Sequence, residues 1–549
     1  MKFQIPKAIL VETSSEALAG AKTFMSGRID PDDMDPTYGM DVEKLDEEAL
    51  AEIRLIADRK GAGKFLRSFD AVLGLRDGTR NFRVPSFEAF GPMLTEYLRE
   101  NRKDGWVYEM TESGDVIPWA IVSVRRVDPS GHDRGSPRVE MFGVGFGPDG
   151  GALKTRRRTW FFEPKDVSRR DVSNILRTSG ILVETEALRA AHDAQDAAFR
   201  EILRDGFARQ FRITGPVFSF TGPGANRRDP LEARGCQAIM DIDDRRVHGA
   251  ETEVETRVYG DGSEPAFIEV PAHPVLEFYN LSTHEPVWVC VNNVAPYTYR
   301  PELREKLVLP EVQRDLLDVL TSDTDVLTGD LVEGKSAGNV ILTKGVPGVG
   351  KTLTAEIYAE VCEKPLYSVH AGNLGTTPRD VAENLKEIFQ RAKRWGCVLL
   401  LDEADVFVMT RGRDVTQNAI VAEFLRTMEY FDGLLFMTSN RGGDIDEAIL
   451  SRCAAIIHYE PPGPDDVKKV WRVMAENFEV DLGDGLIAEL VAAYPRIAPR
   501  DVKMLLRLTV RVATSRGAPL DIDLFRQCAM FRGINTAQST SKEETHDGR

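Results

Sequence analysis

The feature that most constrains this chain is a glycine-rich run at residues 345–352, which reads GVPGVGKT. The apolar run 339–343 before it predicts a buried strand, and the periodic apolar positions of 353–361 after it predict an amphipathic helix. A strand, a glycine loop ending in Lys-Thr and a helix form the context that separates a phosphate-binding loop from a chance match. In such a loop successive backbone N–H groups surround an anion, and the N-terminus of the helix adds partial positive charge at the same point.

The motif predicts a role for each of its residues. Lys351 is expected to reach the β- and γ-phosphates of a nucleotide, and the hydroxyl of Thr352 is expected to hold Mg²⁺. The remaining predicted contacts to the nucleotide come from Gly345, Pro347, Gly348, Val349, Gly350 and Leu353.

A second motif follows about fifty residues later. The continuous apolar run 397–401 ends in Asp402, Glu403, Ala404 and Asp405. A run this apolar predicts a strand buried on both faces of a parallel sheet, and ligands collect at the carboxyl ends of such strands. Asp402 is therefore placed to bind Mg²⁺, and Glu403 to polarise an attacking water as a general base. An N-cap role after the strand is the alternative for Asp405. The two motifs together predict hydrolysis of a nucleoside triphosphate.

Composition bounds the class of protein. The chain has 549 residues, of which 42% are hydrophobic and 29% charged, and its formal net charge is −17. These values are typical of a soluble globular protein of several domains, and the acidic balance argues against broad nucleic-acid binding. No apolar run approaches the ~20 residues that a membrane helix needs. We expect neither a membrane partner nor a secretory signal.

Cysteine and histidine usage indicates the compartment. The six cysteines contain no C-x-x-C pair, which favours a reduced, cytoplasmic chain, and the eight histidines form no ligand-spaced cluster. We therefore expect no zinc site.

The pattern of elements predicts an α/β fold class with several domains. The centre is a P-loop NTPase parallel sheet covered by helices on both faces, followed by a helical lid and preceded by α/β and β-rich domains. The predicted boundaries are an acidic segment at 1–60, an α/β domain at 61–208, a β-rich module at 209–300, the nucleotide-binding domain at 301–460, the lid at 461–532 and a disordered tail at 533–549. The acidic run 30–36 predicts a solvated linker.

Two further runs in the α/β domain each have two interpretations. Residues 143–147, which read GVGFG, resemble a dinucleotide loop, but a turn rather than a helix follows, and this predicts a hairpin. Residues 154–158, which read KTRRR, lie beside three aromatic residues and could contact phosphate or an acidic partner. Exposed charges on an edge strand are the alternative explanation.

With the two nucleotide motifs, residues 307–532 resemble the AAA+ ATPases. The run 437–441, which reads MTSNR, resembles the sensor 1 segment of that family, in which Asn440 would orient the attacking water. The lid run 497–501, which reads IAPRD, resembles sensor 2 and implies that Arg500 contacts the γ-phosphate, although capping of a helix is the alternative. The segment 331–335 resembles the one whose backbone binds adenine, which implies ATP and a contact from Val332.

The run 446–453, which reads DEAILSRC, resembles the segment that carries an arginine finger to the neighbouring subunit. The resemblance implies that Arg452 neutralises charge on the γ-phosphoryl oxygens, an effect worth about 10³–10⁵ in rate in comparable enzymes. Arg441 is the alternative finger, and a salt bridge to a nearby carboxylate is the structural alternative for both. A finger in trans implies a homo-oligomer, for which a hexameric ring is expected.

One departure concerns the substrate. Ring-shaped unfoldases of this family grip the substrate with an aromatic residue, whereas the corresponding run 373–379 has none, and Leu374 is the only substitute. The whole pattern is similar to a subgroup of AAA proteins from fungi and bacteria with large N-terminal regions of unassigned role.

Three functions fit these expectations. The first is ATP-driven remodelling of an unknown protein or macromolecular client. The second is clamp-loader or helicase work on nucleic acid, which the Ser-Arg-Cys resemblance favours and the acidic charge opposes. The third is a nucleotide-gated scaffold, in which hydrolysis acts only as a slow timer.

Overall fold

The computed structural model describes residues 2–26, 37–76, 82–101, 103–110, 116–128, 136–149, 152–167, 169–219, 229–231, 235–243, 246–248, 251–259, 266–322, 339–375, 377–413, 415–441 and 445–534. The predicted acidic linker and nearly all of the predicted disordered tail lie outside these residues.

The first part of the chain is built around a five-stranded antiparallel sheet in the order β6-β5-β4-β3-β7, with a two-stranded ribbon β1-β2 beside it. Its elements are β1 (Lys2–Pro6), α1 (Lys7–Leu10), α2 (Ala19–Ser26), β2 (Thr37–Asp41), α3 (Glu47–Arg59), α4 (Gly63–Arg76), α5 (Phe87–Glu100), β3 (Trp106–Met110), β4 (Val116–Val127), β5 (Arg138–Asp149), β6 (Ala152–Phe162), α6 (Pro164–Val167), α7 (Val172–Thr178), β7 (Ile181–Val183) and α8 (Glu186–Asp205).

The predicted boundary at residue 60 does not separate two cores. Phe3 and Ile53 are buried in the same hydrophobic cluster as Phe69, Phe90 and Trp160. The reason is physical, because β1 and the apolar stripe of α3 must be covered, and the helices that follow supply the covering surface.

A β-rich module follows, with a seven-stranded antiparallel sheet in the order β10-β9-β15-β14-β11-β8-β16 and a separate β12-β13 hairpin. Its strands are β8 (Gln210–Ile213), β9 (Val217–Ser219), β10 (Asp229–Leu231), β11 (Gln237–Met240), β12 (Glu253–Thr256), β13 (Ala266–Glu269), β14 (Val275–Asn280), β15 (Glu285–Cys290) and β16 (Val294–Pro296). Helix α8, which precedes the predicted boundary at 208, packs into this module through Phe199.

The nucleotide-binding domain has a five-stranded parallel sheet in the order β18-β19-β20-β17-β21. Its elements are α9 (Glu311–Thr321), β17 (Asn339–Gly345), α10 (Lys351–Val361), β18 (Leu366–His370), α11 (Pro378–Trp395), β19 (Val398–Asp402), α12 (Asp405–Val408), α13 (Val415–Met428), β20 (Leu434–Ser439), α14 (Glu447–Leu450) and β21 (Ala455–Tyr459).

Both faces of this sheet are buried, as the apolar runs predict. Along β19, Leu399 and Leu401 pack against α11 and α13, whereas Val398 and Leu400 pack on the opposite face with α9 and α10. The predicted parallel P-loop sheet with helices on both faces is therefore confirmed.

Four helices form the lid around a core that contains Trp471, which is fully buried. They are α15 (Pro464–Asn477), α16 (Gly483–Ala493), α17 (Pro499–Arg516) and α18 (Ile522–Met530).

The β-rich module covers the edge strand β18 of the nucleotide sheet. Tyr279 of β14 lies edge-on to Tyr367 of β18, with ring centroids 5.9 Å apart, and Arg391 of α11 donates hydrogen bonds of 3.0 Å to both hydroxyls. Trp395 donates from Nε1 to Asp241 over 2.8 Å. Aromatic packing and a charged network thus hold the module against the sheet edge.

Candidate active site

The glycine loop adopts the conformation that the sequence predicts. Gly345, Gly348 and Gly350 have φ angles of +151°, +85° and +108°, in the region that L side chains rarely adopt. Gly350 is the N-cap of α10, so the first backbone N–H groups of this 11-residue helix are directed at the loop. The loop and helix together form a site suited to phosphate.

Lys351 lies across the mouth of this loop. Its ammonium donates to the carbonyl oxygens of Gly345 and Val346 at 2.7 and 2.9 Å, and to Oδ1 of Asn440 at 2.9 Å. The residue is only 6% exposed, and burial lowers the pKa of its ammonium. The bond to Asn440 joins two predicted site residues that are 89 positions apart in the chain.

The two predicted magnesium ligands also meet. The hydroxyl of Thr352 donates to Oδ1 of Asp402 at 3.0 Å, and the hydroxyl of Thr438 donates to the same oxygen at 2.6 Å. Hydroxyl and carboxylate oxygens are hard ligands of the kind that Mg²⁺ prefers, so this donor set fits the ion. Thr438, which sequence reasoning did not single out, fixes the orientation of Asp402 from the neighbouring strand.

Glu403 has a strained backbone and a partner that the sequence did not reveal. Its φ is +54°, and its N–H donates to the hydroxyl of Thr438 at 2.9 Å. Its carboxylate lies 3.0 Å from Nε2 of His370. Because Nδ1 of His370 accepts the N–H of Gly372 at 3.0 Å, the ring hydrogen is on Nε2 and is donated to Glu403.

A sequence signal for His370 existed. It is the last residue of β18 and is in register with Asp402 at the end of β19. Polar residues that end adjacent parallel strands meet at one sheet edge. The order of strands was needed before this pairing could be inferred.

Asp405 does not cap the helix after β19. The N-cap of α12 is Ala404, without a side-chain hydrogen bond. Oδ1 of Asp405 instead accepts the hydroxyl of Ser439 at 2.6 Å and the N–H of Asn440 at 3.0 Å. The N-cap alternative is therefore wrong, because the adjacent end of β20 offers better-placed donors, and the third acid positions Asn440.

The lid contacts the glycine loop within the same chain. The N–H of Arg500 donates to the carbonyl oxygen of Gly348 at 3.1 Å, and a Cβ added at Gly348 would lie 3.0 Å from the Cβ of Arg500. The charge of Arg500 is close enough to oppose that of Lys351. The first turn of α17 thus places Arg500 beside the predicted phosphate site.

Arg452 lies elsewhere on the domain. Its guanidinium donates to the carbonyl oxygen of Ala448 at 3.1 Å and lies 3.7 Å from Glu429, with both side chains about one third exposed. An ion pair this exposed contributes little to stability. No hydrogen bond joins Arg452 or the exposed Arg441 side chain to the loop among the described residues.

Among the other predicted residues, Val349, Leu353 and Leu374 have clear placements. Val332 lies outside the described residues. Val349 is buried, whereas Leu353 at the first turn of α10 is 39% exposed. Leu374 is fully buried in the core under α11 and α12, so it does not substitute for the missing aromatic residue of a pore loop.

In the described part of the chain, no helix has both the length and the apolar character that crossing a bilayer requires.

Comparison with known proteins identifies the domain that carries this site. Residues 341–461 match the family model "ATPase family associated with various cellular activities (AAA)". The chain is 26% identical over 187 residues to the "Uncharacterized AAA family ATPase y4kL" of Sinorhizobium fredii, a match covering 31% of this chain and 57% of that one. It is 28% identical over 173 residues to a "Putative 26S proteasome regulatory subunit homolog" of Methanothermobacter marburgensis, covering 30% and 46%.

A human relative, "ATPase family gene 2 protein homolog B", is 29% identical over 169 residues, which is 28% of this chain and 22% of that protein. The chain thus spans between about a fifth and somewhat more than half of the length of these relatives. All three matches agree with the geometry of the loop and the acid strand. The chain therefore contains a domain of the AAA ATPase family at residues 341–461.

Proposed function

We propose that this chain binds ATP with Mg²⁺, hydrolyses it, and uses the energy to remodel a protein or macromolecular client as a homo-oligomeric ring, a hexamer. The observation that carries the hydrolytic part is the hydrogen-bonded convergence of Lys351, Asn440, Thr352 and Asp402 at one edge of the parallel sheet. The residue roles below, the domain boundaries and a cytoplasmic location belong to the same proposal. The location is supported by six cysteines that are all free.

Binding uses the loop first. The backbone N–H groups around Gly348 and Gly350 enclose the phosphates, and Lys351 exchanges its bonds to loop carbonyls for bonds to the β- and γ-phosphates. Thr352 and Asp402 would hold Mg²⁺, which would offset phosphate charge.

Hydrolysis then needs a base and a positioned water. Glu403, exposed at the sheet edge and oriented by His370, accepts a proton as water oxygen attacks the γ-phosphorus. The bond from the γ-phosphorus to the bridging oxygen breaks, and ADP carries away the electron pair. Asn440 orients the water, and Arg500 contacts the γ-phosphate from the lid.

Arg452 serves the neighbouring copy. It is partly exposed, its ion pair with Glu429 is long at 3.7 Å, and among the described residues no hydrogen bond joins it to its own loop, which leaves it available to a second subunit. A guanidinium supplied in trans stabilises the charge that develops on the phosphoryl oxygens. The site is then complete only in an oligomer.

The test is Glu403→Gln, which keeps an acceptor for His370 but removes the base. ATP should bind with unchanged affinity, and turnover should fall by about 10²–10⁴. Glu383→Gln on the exposed face of α11 is the matched control and should leave turnover unchanged. Normal hydrolysis by the Glu403→Gln variant would refute the assignment.

The shared site has its own experiment. Arg452→Ala should retain nucleotide affinity and lose most turnover, and mixing it with Lys351→Ala should restore part of the activity. Mixed rings then contain sites with an intact loop from one copy and an intact arginine from the other. Failure to recover any activity in the mixture would exclude a finger in trans.

A further inference from the structure

The GVGFG and KTRRR runs, which the nucleotide site leaves unused, lie directly across from each other. In the antiparallel β5-β6 pair, Gly143 is in register with Arg158, Gly145 with Arg156, and Gly147 with Lys154. Directly opposed residues share one face of a sheet. A row of three glycines therefore runs beside a row of three cations.

Aromatic rings fill the space above the glycines. A Cβ added at Gly145 or Gly147 would overlap the ring of His273, and one at Gly143 would lie 3.0 Å from Trp160. These rings also support the arginines. Arg156 lies over Trp119 at 5.9 Å from the ring centroid, and Arg158 lies over Trp160 at 5.6 Å.

The cations of this surface are incompletely paired. Arg158 lies 2.6 Å from Glu109, but no carboxylate forms an ion pair with Arg156 or Arg157 among the described residues. Burial lowers the pKa of Arg156, because its guanidinium is removed from water, whereas the charges of Asp149 and Glu109 act in the opposite direction. An approaching anion would stabilise it.

The opposite face of the same strands adds to the imbalance. Arg125 and Arg138 both bind the single carboxylate of Glu140, and Arg138 also lies over the ring of Phe161, which is 58% exposed. Positive charge therefore flanks β6 on both faces, in a chain whose net charge is −17.

Strand β6 is also an edge. It pairs with β5, and its beginning is covered, because Leu153 forms a bridge with Val247 and the N–H of Glu251 donates to the hydroxyl of Thr155. In the described part of the chain no strand lies beside residues 156–162. An open edge presents unpaired backbone groups to another extended segment. A second copy of β6 is repelled by like charge, whereas an acidic segment is attracted.

We propose that the outer edge of β6 over residues 156–162, with the arginines at positions 156–158, is a docking strand for an extended acidic segment of a client protein. The segment adds to the sheet by main-chain hydrogen bonds, and its alternating carboxylates lie on the face of Arg157, whereas the residues between them lie on the face of Arg156 and Arg158. This inference rests on the proposed remodelling of a client, and it names the chemistry by which the client is recognised.

The experiment uses the full chain and a fluorescein-labelled peptide of about ten residues that alternates Glu with Val or Thr. Fluorescence anisotropy should show binding that weakens as salt rises. Arg157→Glu should weaken it about tenfold and Arg157→Gln about threefold. Arg379→Glu, at an exposed arginine on α11, is the control and should leave peptide binding unchanged.

Two further probes distinguish strand addition from attraction by charge alone. The same peptide N-methylated at alternate residues keeps its charge but cannot complete the ladder, so it should bind at least tenfold more weakly. Equal binding of the methylated peptide, or tighter binding of a single-stranded oligonucleotide of equal charge, would overturn the docking strand.

Turnover of ATP by the Arg157 variants without client should be unchanged. If the wild-type chain hydrolyses ATP normally but does not bind the peptide, this inference alone is refuted. If it binds the peptide but does not hydrolyse ATP, only the proposed ATPase function is refuted.

Discussion

Two glycine-rich runs of this chain look alike as sequence and do opposite things. The run at 345–350 places three glycines at positive φ in a loop, and a Cβ added at Gly350 would meet nothing within 4 Å. The run at 143–147 lies in the extended strand β5, and there a Cβ at Gly145 would overlap His273.

The difference separates two physical uses of glycine. In the nucleotide loop, the missing side chain permits a backbone conformation and leaves room for an anion. In β5, the backbone conformation is open to any residue, and the missing side chain leaves room for rings of the same protein. The space beside Gly350 is open to a ligand, whereas the space beside Gly145 is already filled by a ring.

The largest effect is expected at Gly145, where a substitution tests whether the ring of His273 explains the glycine. Gly145→Ala forces the ring of His273 out of its site, and we expect a loss of about 3 kcal/mol of stability in the N-terminal region. Hydrogen exchange of residues 139–162 should report the loss, whereas ATP affinity should remain within about twofold.

The ring supplies the control for that substitution. In the His273→Ala background the added methyl group has space, so Gly145→Ala should cost little more there. An equal cost in both backgrounds would show that the ring is not the reason for the glycine.

A smaller effect, on ATP affinity rather than on stability, is expected at Gly350, where φ is +108°. Gly350→Ala strains the loop without a clash, and ATP affinity should fall about thirtyfold, about 2 kcal/mol, as measured by nucleotide titration. Gly396→Ala is the matched control, because Gly396 also has positive φ and open space but lies at the end of α11. If both variants weaken ATP binding equally, the loop has no special role.

The smallest effect is expected at His370, which lies at the same sheet edge as the nucleotide loop. His370→Ala removes the hydrogen bond to Glu403, and kcat should fall about tenfold, since one oriented hydrogen bond to a charged group is worth about 1.5 kcal/mol or more. ATP affinity and the melting temperature should not change, because both side chains are about half exposed.

His370→Gln retains an N–H donor at similar reach and should recover part of the rate. If kcat in these variants follows their thermal stability rather than the presence of an N–H donor, His370 has only a structural role.

Much of the nucleotide site could be predicted from the sequence. The loop, the acid strand and the end of β20 are local patterns, and the structure joins Lys351 to Asn440 and Thr352 to Asp402 by hydrogen bonds. The roles of Arg452 and Arg500 in catalysis stay predictions, and Val332 lies outside the described residues.

The differences from the sequence-based alternatives share one cause. Leu374, the substitute for an aromatic pore residue, is buried, and Asp405, for which an N-cap is the alternative role, accepts hydrogen bonds from Ser439 and Asn440 instead. In the same way, helix α8 packs with the module after it. A residue's local pattern does not specify which distant segment covers it.

The sequence by itself determined that this chain has a phosphate-binding loop followed by an acid strand in a two-sided parallel sheet, because backbone freedom and apolar periodicity act over a few neighbouring residues. Only the tertiary structure decided that His370 holds Glu403 and that the cations of β6 lie beside the glycines of β5. Strand order and register create those contacts, and they depend on packing among segments far apart in the chain.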